Sequence, residues 1–198
     1  MVKIISKNSK ISHRGFTLIE LLVVIGILAI LATTAVLYLD PAQLLAESRD
    51  SQRLSDMDSI RSAINLYFSS AGIIVFPQSG NCADVASPQY WTSVAGGANT
   101  FLAGKTENAS HSFDVDGSGY VPVDFNQITG GAPIYSLPQD PIADATYYYS
   151  FTCYTSTKQF EINANLESNR YTSGTENKEG NDGGDNATIY ENGTKLTL

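Results

Sequence analysis

One carboxylate lies inside an otherwise apolar run near the N-terminus. From Phe16 to Leu39, Glu20 carries the only formal charge. A helix over this run reaches about 36 Å, whereas the hydrocarbon core of a bilayer is about 30 Å thick. A carboxylate inside a membrane costs free energy and usually marks a functional residue. Glu20 is therefore the first candidate for chemistry, and the chemistry it offers is pairing with a positive charge.

A second group of carboxylates lies in the C-terminal segment "NKEGNDGGDNATIYENG". Asp182 and Asp185, with Asn181, surround two glycines. Carboxylate and amide oxygens are the ligands that calcium prefers. The segment therefore predicts either a calcium-binding loop or a solvated acidic loop, and the residues alone leave both interpretations open.

A third acidic stretch, "HSFDVDGSGYVPVDF", resembles the start of an EF-hand loop. Its residues match the first, third, fifth and sixth positions: Asp114, Asp116, Ser118 and Gly119. The twelfth position, which needs a bidentate glutamate, is Phe125. The glycine-rich turn and the alternating apolar residues after it favour a β-hairpin over residues 111–125 instead of a calcium site.

The two cysteines and the histidines point to no metal or catalytic centre. Cys82 and Cys153 have no zinc-type spacing, so they are either a long-range disulfide of an exported domain or two unpaired apolar side chains. His111 is the only histidine after Gly15, and its neighbours Ser110 and Ser112 would point to the opposite strand face. With no nucleophile elbow or phosphate loop, we expect no enzyme.

Composition and charge restrict the class of protein. Of 198 residues, 42% are hydrophobic and 16% charged, which excludes a disordered chain and a polytopic membrane protein. The net charge is −8, but residues 1–15 carry four basic and no acidic side chains, so the remainder carries −12. An acidic body gives no general affinity for nucleic acid. The basic N-terminus predicts that this end stays in the cytoplasm.

A long helix must position Glu20. The apolar run 16–39 predicts a transmembrane half, and the proline of Asp40-Pro41 predicts a kink within a continuing helix. An amphipathic half follows over residues 40–70. Its apolar side chains recur every three or four residues, at Leu54, Met57, Ile60, Ile64, Tyr67 and Phe68. The pairs Asp50/Arg53 and Asp58/Arg61 are expected on its solvent face.

The remaining chain, residues 71–198, predicts a globular domain with three parts. Residues 71–106 have no sustained period and predict a variable loop. Residues 111–168 predict a β-sheet, in which "YYYSFTCY" and "KQFEINANLES" form a hairpin around a turn at 155–157. Residues 169–198 form the acidic C-terminal loop. The predicted fold class is α+β, with the long helix packed on a small antiparallel sheet.

The stretch "RGFTLIELLVVIGILAIL" resembles the class III signal of type IV pilins and type II secretion pseudopilins. Every position from Gly15 to Glu20 fits that pattern. The resemblance implies a leader over residues 1–15, cleavage between Gly15 and Phe16, and methylation of Phe16. It also implies that Glu20 pairs with the new amine of a neighbouring subunit. In the same family a C-terminal loop binds calcium, which implies Asp182 and Asp185 as ligands.

The resemblance predicts a structural subunit of a type IV pilus or a pseudopilus. Its expected partners are other copies of the chain, a prepilin peptidase and methyltransferase, the inner-membrane assembly platform and the membrane. The expected location is the cytoplasmic membrane, crossed once, and then a filament outside it. Two other functions remain as alternatives: an anchored monomeric binding or adhesin domain, and an anchored enzyme.

Overall fold

The computed structural model describes residues 15–72, 74–77, 80–82, 86–97 and 104–197. The chain divides into two compact units, Met1–Pro41 and Ala42–Leu198. Apart from Gly15, the predicted leader lies outside the described residues. So does part of the predicted variable loop.

The first unit contains the apolar helix α1, Leu18–Leu39. Every described side chain of α1 is exposed. Within it, Leu18–Val36 is long and apolar enough to cross a membrane. The helix stops at Asp40, which takes a left-handed conformation with φ 39°.

The interruption at Asp40 differs from the kinked continuous helix that we expected. The second helix, α2, begins at Pro41 and ends at Ser70. A proline restricts the residue before it to non-helical conformations, while its own fixed φ suits the first position of a helix. Asp40–Pro41 therefore ends one helix and starts the next.

In the second unit, α2 supplies one wall of the hydrophobic core. Met57, Ile60, Ile64 and Tyr67 are fully buried, as their spacing predicted. Burying a side chain of this size stabilises the fold by roughly 1.5–3 kcal/mol. The amphipathic stripe is thus core packing, and it holds α2 against the sheet.

The sheet has five strands in the order β2-β1-β3-β4-β5. They are β1 Gln89–Thr92, β2 Thr106–Glu107, β3 Tyr149–Tyr154, β4 Gln159–Ala164 and β5 Tyr190–Gly193. All pairings are antiparallel except β1 with β2. The hairpin of β3 and β4 forms as predicted. The short helix α3, Asn169–Thr172, follows β4.

The sheet differs in its extent from the expected range 111–168. Strand β1 and the first residue of β2 come from the predicted variable loop, and β5 comes from the predicted C-terminal loop. The predicted hairpin over residues 111–125 is wrong: this segment makes only isolated bridges, Ser112 with Gly119 and Asp116 with Asp124. Its alternating residues Val121, Val123 and Phe125 are instead all fully buried in the core.

The sheet face toward α2 is aromatic. The ring centroids of Trp91 and Phe151 are 5.9 Å apart, and those of Phe151 and Phe160 are 6.2 Å apart. Beside them a disulfide joins Cys82 to Cys153 across a sequence separation of 71 residues. In the loop-entropy model, closing a loop of this length stabilises the fold by roughly 4 kcal/mol.

The opposite sheet face is buried and polar. Ser150 and Thr152 on β3 lie across from Asn163 and Glu161 on β4, and none of the four exceeds 2% exposure. Ser150 Oγ, Thr152 Oγ1 and Asn163 Oδ1 have no hydrogen-bond partner in the described part of the chain. The polar alternation of β3 and β4 therefore does not mark a solvent face.

Arg53 of α2 binds three carboxylates inside the protein. Its Nε and Nη2 donate to Asp140 at 2.6 and 2.9 Å, and its Nη1 donates to Asp50 at 2.8 Å and to Glu167 at 2.5 Å. The Arg53 and Asp50 side chains are fully buried, so the expectation that this pair lies on the solvent face is wrong. Burial alone lowers the pKa of Arg53, but the hydrogen bonds and charges of the carboxylates outweigh it and raise that pKa.

The Arg53 cluster, defined as Arg53 with Asp50, Asp140 and Glu167, joins three parts of the second unit. Asp50 belongs to α2, Asp140 to the two-proline turn "LPQDP", and Glu167 to the segment after β4. Asp50 also accepts hydrogen bonds from the backbone N–H groups of Glu167 and Ser168. The cluster therefore fixes α2 to two loops by charged hydrogen bonds.

The second expected solvent-face pair also contacts the sheet. Asn192 of β5 donates from Nδ2 to Asp58 Oδ1 at 2.9 Å and accepts at Oδ1 from Arg61 Nη1 at 3.1 Å. Asn192 is 3% exposed. Asp58 and Arg61 therefore hold the edge strand β5 against α2.

Candidate functional site

The residues around the predicted cleavage point form the start of α1. Thr17 is the N-cap, and its Oγ1 accepts a hydrogen bond from Glu20 N at 3.2 Å. In return, Glu20 Oε2 accepts from Thr17 N at 3.3 Å. This reciprocal arrangement is a capping box, which satisfies two backbone N–H groups that a helix leaves unpaired. The carboxylate is also favourable beside the positive end of the helix dipole.

The capping role of Glu20 was not part of our sequence interpretation. The spacing Thr-x-x-Glu before an apolar run is its signal, and it is present at Thr17–Glu20. Only Oε2 of Glu20 forms hydrogen bonds within the described residues. Its Oε1 has no hydrogen-bond partner among these residues.

The segment before α1 is accessible. A side chain at Gly15 would meet nothing within 4 Å, and Phe16 is 82% exposed. An exposed Gly15–Phe16 peptide bond is open to a peptidase. Gly15 and Phe16 precede α1, and Glu20 lies in its first turn; cleavage between Gly15 and Phe16 stays a prediction.

The predicted calcium ligands lie in the C-terminal loop. Asp182 accepts at Oδ1 from Gly184 N at 2.9 Å and at Oδ2 from Glu191 N at 2.7 Å. Within the described ranges, no three His, Cys, Asp or Glu side chains are arranged to hold a metal ion. Both oxygens of Asp182 accept backbone N–H groups of the loop, and calcium binding by Asp182 and Asp185 stays a prediction.

The carboxylate of Asp116 in the EF-hand-like stretch also accepts hydrogen bonds from its own loop. Asp116 Oδ1 accepts from the backbone N–H and the hydroxyl of Ser118, at 3.0 and 2.6 Å. A side chain at Gly119 would collide with the backbone oxygen of Asp114, so only glycine allows this tight turn. The stretch is therefore a turn stabilised by hydrogen bonds between its own residues.

Glu191 is a buried carboxylate beside the C-terminal loop. It is 3% exposed, and its Oε2 accepts from Asn186 N at 3.1 Å. Burial raises the pKa of Glu191 to about 7, with further contributions from the negative charges of Glu161, Asp182 and Asp185. The folded protein therefore holds a proton here that the unfolded chain releases near its ordinary pKa, and stability decreases as the pH rises from about 4.5 to about 7.

We expect Glu191→Gln to make the protein more stable than wild type at pH 8, by up to about 3 kcal/mol, because the amide removes a buried charge. The difference should vanish near pH 4. Thermal melting of the fragment 42–198 at both pH values measures it. Glu176→Gln is the exposed control and should show no gain at pH 8; an equal gain there would contradict this account of Glu191.

His111 contacts a buried threonine. Its Nδ1 lies 3.2 Å from Thr92 Oγ1, which donates to Glu107 Oε1 at 2.6 Å. Thr92 is fully buried. The three residues form a hydrogen-bond group that links β1 to Glu107 of β2 and to His111.

One known sequence family matches the N-terminal segment of the chain. Residues 11–36 match the model described as "Prokaryotic N-terminal methylation motif". No curated protein and no solved structure matches the chain. The motif is the class III signal of type IV pilins and pseudopilins, so the chain carries a prepilin-like N-terminus with an apolar helix for membrane anchoring.

Proposed function

We propose that this protein is a structural subunit of a type IV pilus or a type II secretion-like pseudopilus. The observation that carries the proposal is the match over residues 11–36, together with the exposed apolar helix that follows it. A helix whose described side chains are all exposed needs a membrane first and other helices afterwards. The motif also favours a structural role over an enzymatic one.

Processing would prepare the subunit for assembly in two ways. Cleavage between Gly15 and Phe16 removes the basic leader, which holds the N-terminus on the cytoplasmic side of the membrane. It also creates a positive amine on Phe16, which the methyltransferase then methylates. The expected partners at this stage are the prepilin peptidase and the inner-membrane assembly platform.

Glu20 would then direct polymerisation through α1. Its unused carboxylate oxygen can accept a hydrogen bond from the Phe16 amine of a neighbouring subunit. In an apolar filament core, each of these charges is costly when unpaired. A subunit in the wrong axial register would leave both unpaired, so the pair selects one register.

We expect intact-mass analysis of membrane-extracted protein to show a chain that begins at Phe16 and carries one added methyl group. Gly15→Ile should leave the leader attached, because a β-branched side chain now occupies the cleavage point. Gly26→Ala changes a glycine inside α1 and is the control, with normal processing. A mature N-terminus after Leu39 would contradict the proposal and indicate an ordinary signal peptide.

The competing function is an anchored monomer that binds a target outside the membrane. Such a protein needs the apolar helix but has no use for the charge pair. Filament formation separates the two functions, because only polymerisation requires the charge of Glu20.

A further inference from the structure

A cavity of about 330 Å³ opens between α2, β5 and the C-terminal loop. Side chains of both charges, amides and one aromatic ring line it, among them Arg61, Lys178, Asn181, Tyr190 and Asn192. Its volume is at the lower end of the range of about 300–1,000 Å³ that is usual for small-molecule sites. It therefore suits one ring-sized ligand.

The acidic side chains of the cavity wall already have partners. Both oxygens of Asp182 accept backbone N–H groups of the loop. Glu191 accepts from Asn186, and its raised pKa leaves it partly neutral near pH 7. A side chain at Gly184 would collide with the Glu191 carboxylate, so this glycine lets the loop close over it.

The basic side chains of the cavity wall, Arg61 and Lys178, have N–H groups that donate to no residue in the described part of the chain. Arg61 donates one hydrogen bond, from Nη1 to Asn192 Oδ1, and Asn192 is itself held by Asp58. Neither Arg61 nor Lys178 forms an ion pair within 4 Å in the part of the chain that the structure describes, whereas Arg49, Arg53 and Arg170 all do. An oriented guanidinium with free N–H groups is suited to a carboxylate.

We propose that this cavity binds an acidic sugar, with its carboxylate on Arg61 and Lys178 and its ring against Tyr190. The side chain of Asn181, whose Nδ2 donates to Asn177 O, presents its Oδ1 to the ring hydroxyls. The cavity admits one sugar ring, so the ligand is a free uronate or the terminal uronate of a chain. The site is independent of the filament role and would serve either a filament subunit or an anchored monomer.

Calorimetric titration of the full-length protein in detergent tests the proposal with three probes. Sodium D-glucuronate carries both ring and carboxylate, D-glucose only the ring, and acetate only the carboxylate. We expect glucuronate to bind with a Kd below about 1 mM and the other two at least about tenfold more weakly. Equal binding of glucose or acetate, or no binding of glucuronate, would overturn the proposal.

Lys178→Gln is the decisive variant, because the Lys178 side chain makes no hydrogen bond in the described residues. We expect it to weaken glucuronate binding at least about fivefold, since a charge-assisted hydrogen bond is lost. Lys158→Gln lies on the exposed turn between β3 and β4 and should leave binding unchanged. Arg61→Lys keeps the charge but loses the planar fork, and it should also bind more weakly. Wild-type affinity in Lys178→Gln would refute the site.

Discussion

We expect Glu20→Gln to lower filament yield at least about tenfold while the amount of monomer in the membrane does not fall. The variant deletes a costly charge from the apolar helix, so insertion should be as good as in wild type or better. Assembly should fail because each incoming Phe16 amine would lie unpaired among apolar helices. One buried unpaired charge costs more than the roughly 1.4 kcal/mol that corresponds to a tenfold change.

The capping box makes glutamine the informative replacement. Glutamine at this position of a capping box still accepts the backbone N–H of Thr17, so α1 keeps its start while the charge is lost. Thr17→Ala is the matched control: it removes the cap, at a cost of about 1 kcal/mol, but keeps the carboxylate. Thr17→Ala should therefore form more filaments than Glu20→Gln.

Filament yield after shearing, with membrane abundance measured in parallel, gives the result in a host that has the assembly machinery. Glu20→Asp should retain part of the yield, since the charge remains on a shorter side chain. Wild-type yield in Glu20→Gln would show that the charge does not select the register. If wild-type protein also forms no filaments, the anchored-monomer function is favoured.

We expect Arg53→Met to lower the free energy of unfolding by roughly 3–5 kcal/mol, because it leaves buried carboxylates without their cation. Methionine has a similar length and helix propensity, so α2 itself should persist. The three partners belong to three segments, and the loss should therefore loosen the two-proline turn and the segment after β4 together. Urea unfolding of the fragment 42–198, which contains all of the core, measures the change.

Arg170→Met is the control for the Arg53 experiment. Arg170 also pairs with two carboxylates, Glu47 and Glu176, but its side chain is 43% exposed. Exposed ion pairs of this kind contribute about 0–1 kcal/mol. A similar loss in both variants would contradict the importance of burial in the Arg53 cluster.

Asp140→Asn provides a milder test in case Arg53→Met does not fold. The amide keeps an oxygen for the backbone N–H groups of Ile142 and Ala143, which Asp140 Oδ1 binds at 2.8 and 3.2 Å. The charge opposite Arg53 is lost, so the stability should still decrease, and by more than in Arg170→Met. An unchanged stability would show that the turn needs only the hydrogen bonds.

Short-range patterns predicted the elements whose cause is local. The apolar run with its basic leader predicted α1, and the three-to-four spacing of Met57, Ile60 and Ile64 predicted the buried face of α2. The strand alternation on both sides of residues 155–157 predicted the hairpin of β3 and β4. Each of these signals lies within one helix or one hairpin, so neighbouring residues suffice to set it.

The stretch 111–125 shows where a local signal was incomplete. Its turn does form, through the bonds of Asp116 to Ser118. The residues after the turn make only the bridge of Asp116 with Asp124, while Val121, Val123 and Phe125 are buried in the core. Alternating apolar residues indicate which side chains are buried. The alternation does not distinguish a strand from an irregular buried segment.

By itself, the sequence determined the processing motif, the apolar helix and the α+β class, because their causes lie in contiguous residues. Only the tertiary structure decided what the charged residues do. Asp50/Arg53 has the spacing of a solvent-face pair, yet Asp140 and Glu167, 87 and 114 residues further along the chain, bury it. The cavity at Arg61 and Lys178 likewise exists only where α2 meets the C-terminal loop. A charged side chain is buried only when segments distant in sequence fold over it and exclude water. The spacing of residues within one helix does not predict which segments those are.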